Sequence, residues 1–354
     1  MVLAPVATGS PRAMPASDVP LVDGYAAVVC DLDGVVYRGP EAVQYAVSAL
    51  AALTVPIVYA TNNASRPPEE VAAHLTDLGL HVTTRSVATS SQAGAGALVD
   101  LLPAGATVLA IGGAGVREAL HQHGFGVATP QELREALDHE VAGVLQGYGS
   151  SVTADDLAEA AYAVAGGAVW VATNTDATLP THRGIAPGNG TLVAAVGRAT
   201  GQQPVVVGKP YAPLYRLCAS RLGVEPHSVL AVGDRLDTDI AGAVAAAMDS
   251  ALVLTGVDSV TTLASAPAAL RPTYLVEDLR SLLTPYLPAE TDYSWWVCGD
   301  DRRRLVDGAW EVASTGSAIE AARTGIACLH EALDHGELDR DAVRRLVPEI
   351  DAWQ

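Results

Sequence analysis

The feature that most constrains the fold of this chain is the regular alternation of short, uninterrupted apolar runs with segments of helical spacing. Such runs occur at 25–30, 55–60, 229–232 and 251–254, and helical patterns separate them along the chain. Strands that are apolar on both faces are typical of a parallel sheet covered by helices on both sides. We therefore predict an α/β fold with a Rossmann-like parallel sheet.

A second series of strands and helices interrupts the first one, which indicates an inserted domain. The character of the chain changes again near residue 290, after which four of the five tryptophans occur, and a hairpin followed by two helices is predicted there. The predicted organisation is a flexible tail at 1–20, a core at 21–88 and 184–288, an inserted α/β domain at 89–183, and a small α+β extension at 289–354.

The charge of the chain excludes several classes of partner. The formal net charge is −19, which disfavours binding to nucleic acid and to anionic membranes. No apolar run is long enough for a membrane span, and the four cysteines form no CxxC pair. We expect reduced thiols and a cytoplasmic location, and the sequence leaves open whether the chain forms a homo-oligomer. A phosphorylated substrate would need local positive charge in so acidic a protein.

Two carboxylates follow the first apolar strand, in the segment Asp31-Leu32-Asp33-Gly34. Residues i and i+2 of an extended segment share one side, at the strand end where open α/β sheets bind ligands. One carboxylate there can attack phosphorus while the second transfers protons. Gly34 would allow a sharp turn after the pair. Taken alone, the segment fits a solvated acidic turn equally well.

Three further strand ends carry polar residues. Thr61-Asn62-Asn63 closes the strand at 57–60, although such residues are also ordinary in turns. Lys209, the only lysine of the chain, follows the apolar run 205–207, where a solvated loop lysine is the alternative. Asp234 and Asp239 follow the strand at 229–232. Converging carboxylates repel each other unless a cation holds them, and their hard oxygen donors favour Mg²⁺.

Together, these four segments resemble the motifs of the haloacid dehalogenase superfamily of phosphatases, and the inserted domain resembles the large α/β cap of the subfamily that includes phosphoglycolate and 4-nitrophenyl phosphatases. The resemblance implies that Asp31 attacks phosphorus to form an aspartyl-phosphate and that Asp33 acts as acid and base. Thr61 and Lys209 would hold the phosphoryl group. Mg²⁺ would be bound by Asp31, the Asp33 carbonyl oxygen and Asp234, with Asp239 in support.

The same resemblance predicts a small phosphate monoester as substrate, glycerol 3-phosphate first and phosphoglycolate second. A non-catalytic sensor of phosphorylated metabolites is the alternative, although a sensor need not retain both Asp31 and Asp33. The C-terminal extension resembles part of an acetyltransferase fold and is predicted to be non-catalytic. The expected substrate-binding residues are Gly34, Asn62, Asn63, Asp176, Leu179 and His182.

Overall fold

The computed structural model describes residues 18–135, 140–181 and 183–351. The strands are β1 Ala27–Cys30, β2 Tyr37–Arg38, β3 Glu41–Ala42, β4 Ile57–Thr61, β5 Val87–Thr89, β6 Thr107–Ile111, β7 Gly126–Ala128, β8 Gly143–Gln146, β9 Val169–Ala172, β10 Thr178–Thr181, β11 Gly184–Pro187, β12 Val205–Val206, β13 Val229–Gly233, β14 Asp249–Val253, β15 Tyr274–Val276, β16 Glu290–Asp292, β17 Trp295–Cys298, β18 Asp301–Val306 and β19 Ala309–Ser314. The helices are α1 Ala46–Ala52, α2 Pro68–Asp77, α3 Ser90–Val99, α4 Ala114–Gln122, α5 Pro130–Glu135, α6 Ala154–Ala165, α7 Asn189–Thr200, α8 Ala212–Leu222, α9 Ala241–Ala245, α10 Val260–Ala264, α11 Ala318–Asp334 and α12 Arg340–Leu346.

The first sheet is parallel and has the strand order β15-β14-β13-β1-β4-β5. Its central strands β1 and β13 are buried along their whole length, as their uninterrupted apolar sequences predict. The predicted Rossmann-like α/β fold is therefore confirmed. The sheet also brings the ends of β1, β4 and β13 side by side, at the edge where α/β proteins bind ligands.

The second sheet is also parallel, with the order β12-β9-β8-β6-β7, and lies in the chain between β5 and β13. The prediction that the chain returns to the first sheet after residue 183 is wrong for two elements. Strand β12 pairs with β9, and α7 buries Val193 and Val196 in the same apolar cluster as Trp170. An apolar run as short as 205–207 fits either sheet, and only strand pairing selects one.

The C-terminal segment contains a four-stranded antiparallel sheet, β16-β17-β18-β19, rather than the predicted single hairpin. The sequence predicts a hairpin of 295–298 with 305–311, whereas β18 already begins at Asp301, and its polar first half includes a buried ion pair between Arg303 and Asp301. Helix α11 follows as predicted, and its Ile326 and Leu329 share an apolar cluster with Leu252 of the first sheet. The segment is thus packed onto the core.

The sequence has helical spacing over 41–53, but helix α1 begins only at Ala46, because Glu41–Ala42 pairs with Tyr37–Arg38 in a short hairpin. Within the described ranges, no helix is both long and apolar enough to cross a membrane. The predicted flexible tail lies largely outside the described residues, which begin at residue 18.

Candidate active site

Asp31 and Asp234 lie next to each other because they follow neighbouring parallel strands. Strand β1 pairs with β13, and the Asp31 N–H donates to the Val232 carbonyl at 2.9 Å. Asp239 approaches from the turn after β13, where a single turn of π-helix, Leu236–Ile240, leads into α9. One oxygen of each of the three carboxylates lies within 4.8 Å of the others, and all three residues are buried.

Lys209 provides the positive charge of this cluster. Its Nζ donates to Oδ1 of Asp31 and, at 2.7 Å, to Oδ1 of Asp239. Only 3% of the lysine is exposed. Burial alone would lower its pKa, but the Asp239 and Asp31 carboxylates raise that pKa well above its usual range. The lysine is therefore charged and ion-paired, as the sequence predicted, and not a solvated loop residue.

The cluster carries a negative excess, since three carboxylates face one ammonium. Burial, together with the Asp239 charge, raises the pKa of Asp31 despite the opposing effect of Lys209. The same two causes raise the pKa of Asp234 to about 7. A buried group of like charges is stable in its ionised form only when a cation compensates it.

The donor set fits a divalent cation with a preference for oxygen. Oδ2 of Asp234 accepts the Val257 N–H at 2.8 Å, whereas Oδ1 is buried and has no hydrogen-bond partner among the described residues. Gly34 and Gly256 make room for this carboxylate, because a Cβ on either would lie within 2.3 Å of Oδ2. Carboxylate oxygens around an unpartnered, buried acceptor match the chemistry of Mg²⁺ binding.

Asp33 differs from the other carboxylates in being exposed. No hydrogen bond to its side chain is made by any residue in the described part of the chain. Although its surface reaches solvent, the surrounding protein partly desolvates the Asp33 carboxyl and raises its pKa, and the charges of Lys209, Arg66 and His74 lower it in turn. An accessible carboxyl with a raised pKa suits proton transfer to and from a bound molecule.

The predicted Thr61-Asn62-Asn63 segment begins in β4 at the same edge of the sheet. Thr61 is buried, and its Oγ1 accepts the Asn63 N–H at 3.0 Å, while no described residue accepts a hydrogen bond from its hydroxyl. The Asn63 side chain turns to Ser65 instead, with Oδ1 accepting the Ser65 hydroxyl at 2.7 Å. The Asn62 side chain contacts Lys209 and Asp176.

The remaining predicted residues do not all lie close to the cluster. Gly34 adopts a φ of 86°, which confirms the sharp turn expected after the acidic pair. Asp176 lies beside Asn62, with its Oδ2 at 3.3 Å from Nδ2. Leu179 is half-buried in β10, with no polar contact to the cluster, and His182 lies outside the described residues.

The sequence analysis missed the loop that follows β14. Gly256, Val257 and Asp258 all contact the segment that begins at Asp234: the Asp258 N–H donates to the Asp234 carbonyl at 3.0 Å, and the Asp258 carboxylate accepts the Leu236 N–H at 2.6 Å. The signal was available, because 255–258 follows an apolar strand in the same way as the predicted segments. The loop holds Asp234 in place.

Two family models match the chain. One, described as haloacid dehalogenase-like hydrolase, matches residues 28–126 and therefore includes Asp31, Asp33 and Thr61. The other, described as HAD-hydrolase-like, matches residues 206–282 and includes Lys209 and Asp234. The two matches lie on either side of the central part of the insertion.

Characterised proteins resemble the chain over most of its length. D-glycerol 3-phosphate phosphatase of Mycobacterium tuberculosis is 41% identical over 319 residues, which cover 86% of this chain and 88% of that protein. The acid sugar phosphatase of Staphylococcus saprophyticus is 34% identical, with 73% of this chain and 97% of that protein covered. A crystal structure of glycerol phosphate phosphatase from Mycobacterium tuberculosis in complex with magnesium superposes with a TM-score of 0.79 at 36% identity, covering 89% of this chain and 93% of that one.

Proposed function

The chain belongs to the haloacid dehalogenase-like hydrolases and is a phosphatase of that family, and from its site we propose that it hydrolyses glycerol 3-phosphate with bound Mg²⁺. The observation that carries the proposal is the cluster of Asp31, Asp234, Asp239 and Lys209 at the ends of adjacent elements. The cluster brings together a carboxylate that can act as the nucleophile, the ammonium group of Lys209, and the Asp234 Oδ1, which has no hydrogen-bond partner among the described residues.

The metal ligands that we propose are the Asp31 and Asp234 carboxylates, with the Asp33 carbonyl oxygen as a further donor. Asp239 would support these ligands indirectly. Its Oδ1 already accepts from Lys209, and its Oδ2 accepts the Arg235 N–H at 3.1 Å. Bound Mg²⁺ would neutralise the negative excess of the cluster and the charge of a phosphoryl group.

In the proposed reaction, an oxygen of Asp31 attacks phosphorus, the bond to the ester oxygen breaks, and an aspartyl-phosphate forms. Asp33 donates its proton to the departing alkoxide and thereby becomes a carboxylate. It then removes a proton from water, which attacks the aspartyl-phosphate and releases phosphate. The accessibility of Asp33 and its raised pKa support this exchange.

We propose that Thr61 and Lys209 bind the phosphoryl oxygens. The Thr61 hydroxyl can donate to a bound oxygen, because no described residue accepts a hydrogen bond from it. The Lys209 ammonium bonds two carboxylates and, more weakly, the Ala60 carbonyl at 3.4 Å. Positioned charge of this kind acts on the transition state because it needs no reorganisation when the reaction proceeds.

The proposed substrate is supported by the similarity to glycerol 3-phosphate phosphatase, which is the most extensive sequence match described above. Gly34, Asn62, Asn63, Asp176, Leu179 and His182 remain the predicted substrate-binding residues. Asp176 is the best supported of them, since it is half-buried beside Asn62. Phosphoglycolate, or an acid sugar phosphate as for the Staphylococcus relative, is the second candidate.

The test is phosphate release from a panel of glycerol 3-phosphate, phosphoglycolate, sugar phosphates and 4-nitrophenyl phosphate, with and without Mg²⁺. We expect the highest kcat/KM for glycerol 3-phosphate and a loss of about a thousandfold or more in Asp31→Asn. Asp237→Asn is the matched control, because Asp237 is an exposed acid of the same region whose ion-pair partner, among the described residues, is Arg235. Wild-type turnover by Asp31→Asn would refute the nucleophile, and binding without release from any ester would favour the sensor.

The cellular setting is a further proposal. All four cysteines are free and buried, as expected for reduced thiols. We propose that the protein acts in the cytoplasm on a small ester and that the C-terminal extension has no catalytic role of its own.

A further inference from the structure

Lys209 follows a strand of the second sheet, whereas the carboxylates that it contacts follow strands of the first sheet. Strand β12 ends at Val206 in the second sheet, three residues before Lys209. The Lys209 ammonium nevertheless lies among Asp31 and Asp239, which follow strands of the first sheet. Some contact must therefore hold the backbone of Lys209 at a fixed position relative to the first sheet.

The Asn62 side chain makes that contact. Its Oδ1 accepts the Lys209 N–H at 2.8 Å, and its Nδ2 donates to the Lys209 carbonyl at 3.0 Å. One amide thus binds both polar backbone groups of the lysine. Asn62 directly follows β4 of the first sheet, so the pair of hydrogen bonds ties the two sheets together at Lys209.

Asn62 is itself held in place. Its carbonyl accepts the Ser90 hydroxyl and the Asn174 side-chain amide, each at 2.7 Å. The glycine before the lysine is also required, because a Cβ on Gly208 would lie 2.6 Å from the Asn62 Oδ1. The asparagine is consequently a fixed reference point and not a side chain that adapts to the lysine.

We infer that Asn62 is the positioning residue for Lys209, acting through its side chain and not only through contact with the substrate. The inference rests on the proposed phosphatase function for its kinetic consequence, but the placement of the lysine does not depend on turnover. Loss of both hydrogen bonds would free the lysine backbone and shift the ammonium from Asp31. Removing an outer partner of this kind typically lowers activity by about tenfold to a hundredfold.

The chain offers a direct probe, since Lys209 is its only lysine. Protein labelled with [ε-¹³C]lysine gives one ε-methylene cross peak by NMR, which reports the surroundings of the ammonium without any substrate. The variants are Asn62→Ala and the isosteric Asn62→Asp, which keeps the acceptor for the Lys209 N–H but lacks the amide donor. The matched control is Gln202→Ala, because the Gln202 amide also binds the backbone, donating to the Val164 carbonyl at 3.2 Å, but does not contact the lysine.

We expect both Asn62 variants to move the Lys209 cross peak toward the position of a solvated lysine and to lower kcat/KM, and Gln202→Ala to do neither. An unmoved cross peak in both Asn62 variants would overturn the inference, whereas a moved peak with unchanged kcat/KM would support the placement and refute the proposed role of Lys209 in turnover. An equal effect of Gln202→Ala would overturn the inference. If no ester is turned over by the wild type, the proposed function fails, while the cross peak still tests the placement.

Discussion

Replacing Gly256 by alanine should weaken Mg²⁺ binding without altering any ligand. A Cβ at this position would lie 1.8 Å from the Asp234 Oδ2 and 2.3 Å from its Cγ. The separation from Oδ2 must grow to at least 3.0 Å, so the carboxylate or the loop must move by about 1.2 Å. The Val257 N–H, which donates to the same oxygen at 2.8 Å, would lose its partner in that movement.

The size of the effect follows from the strict geometry of magnesium. Mg²⁺ requires oxygen donors at about 2.0–2.1 Å in near-octahedral arrangement, so a ligand displaced by more than 1 Å no longer binds. The lost hydrogen bond to a charged group adds about 1.5–3 kcal/mol. We therefore expect the Mg²⁺ concentration for half-maximal activity to rise by at least about tenfold, which corresponds to about 1.4 kcal/mol.

The assay is hydrolysis of 4-nitrophenyl phosphate across a Mg²⁺ titration, with thermal unfolding of the metal-free protein measured in parallel. Gly96→Ala is the matched control, because a Cβ there meets only His123 at an ordinary 3.7 Å. A wild-type Mg²⁺ titration for Gly256→Ala would refute the assignment of Asp234 as a ligand. An equal shift in the control would show that the effect is not local.

Three further predictions follow from buried charged groups. Because burial raises the pKa of Asp234 to about 7, protons compete with Mg²⁺ below that pH, and calorimetry should show a weaker apparent affinity and proton release as the pH falls. Burial lowers the pKa of His330 to about 4, so between pH 6.5 and 4 the unfolded chain binds a proton that the folded protein does not. The free energy of unfolding should therefore fall by up to about 3 kcal/mol as the pH is lowered through this range, and His330→Gln should reduce that fall in urea titrations. Arg303→Met should lower the free energy of unfolding by about 3–5 kcal/mol, because it leaves the buried Asp301 carboxylate without its ion pair.

Each of these predictions has a clear contrary result. A Mg²⁺ affinity that does not depend on pH would show that Asp234 is not a ligand. An unchanged acid dependence in His330→Gln would place the titrating groups elsewhere. Arg302→Met is the control for Arg303, since Arg302 pairs with Asp292 at the surface and should cost less than about 1 kcal/mol. Equal losses in the two arginine variants would contradict the buried pair.

The sequence was sufficient to predict the strand ends but not every strand's partner. Asp31 and Asp234 follow fully apolar runs, and the parallel arrangement of such runs determines that their ends meet. Strand β12 was assigned to the wrong sheet because two valines carry no information on which neighbour they pair with. Strand β18 includes three successive arginines that the sequence prediction of 305–311 left out, and Arg303 among them is buried with its own counter-ion.

The sequence by itself determined the α/β class, the acidic pair and the need for a positive charge, since these follow from residue type and local period. Only the tertiary structure decided that Lys209 enters the site from the second sheet, that Asn62 binds its backbone, and that Gly256 accommodates the Asp234 carboxylate. The physical reason is that these contacts join residues 20 or more positions apart. Their geometry depends on how two sheets and their loops pack, and no local pattern records that packing.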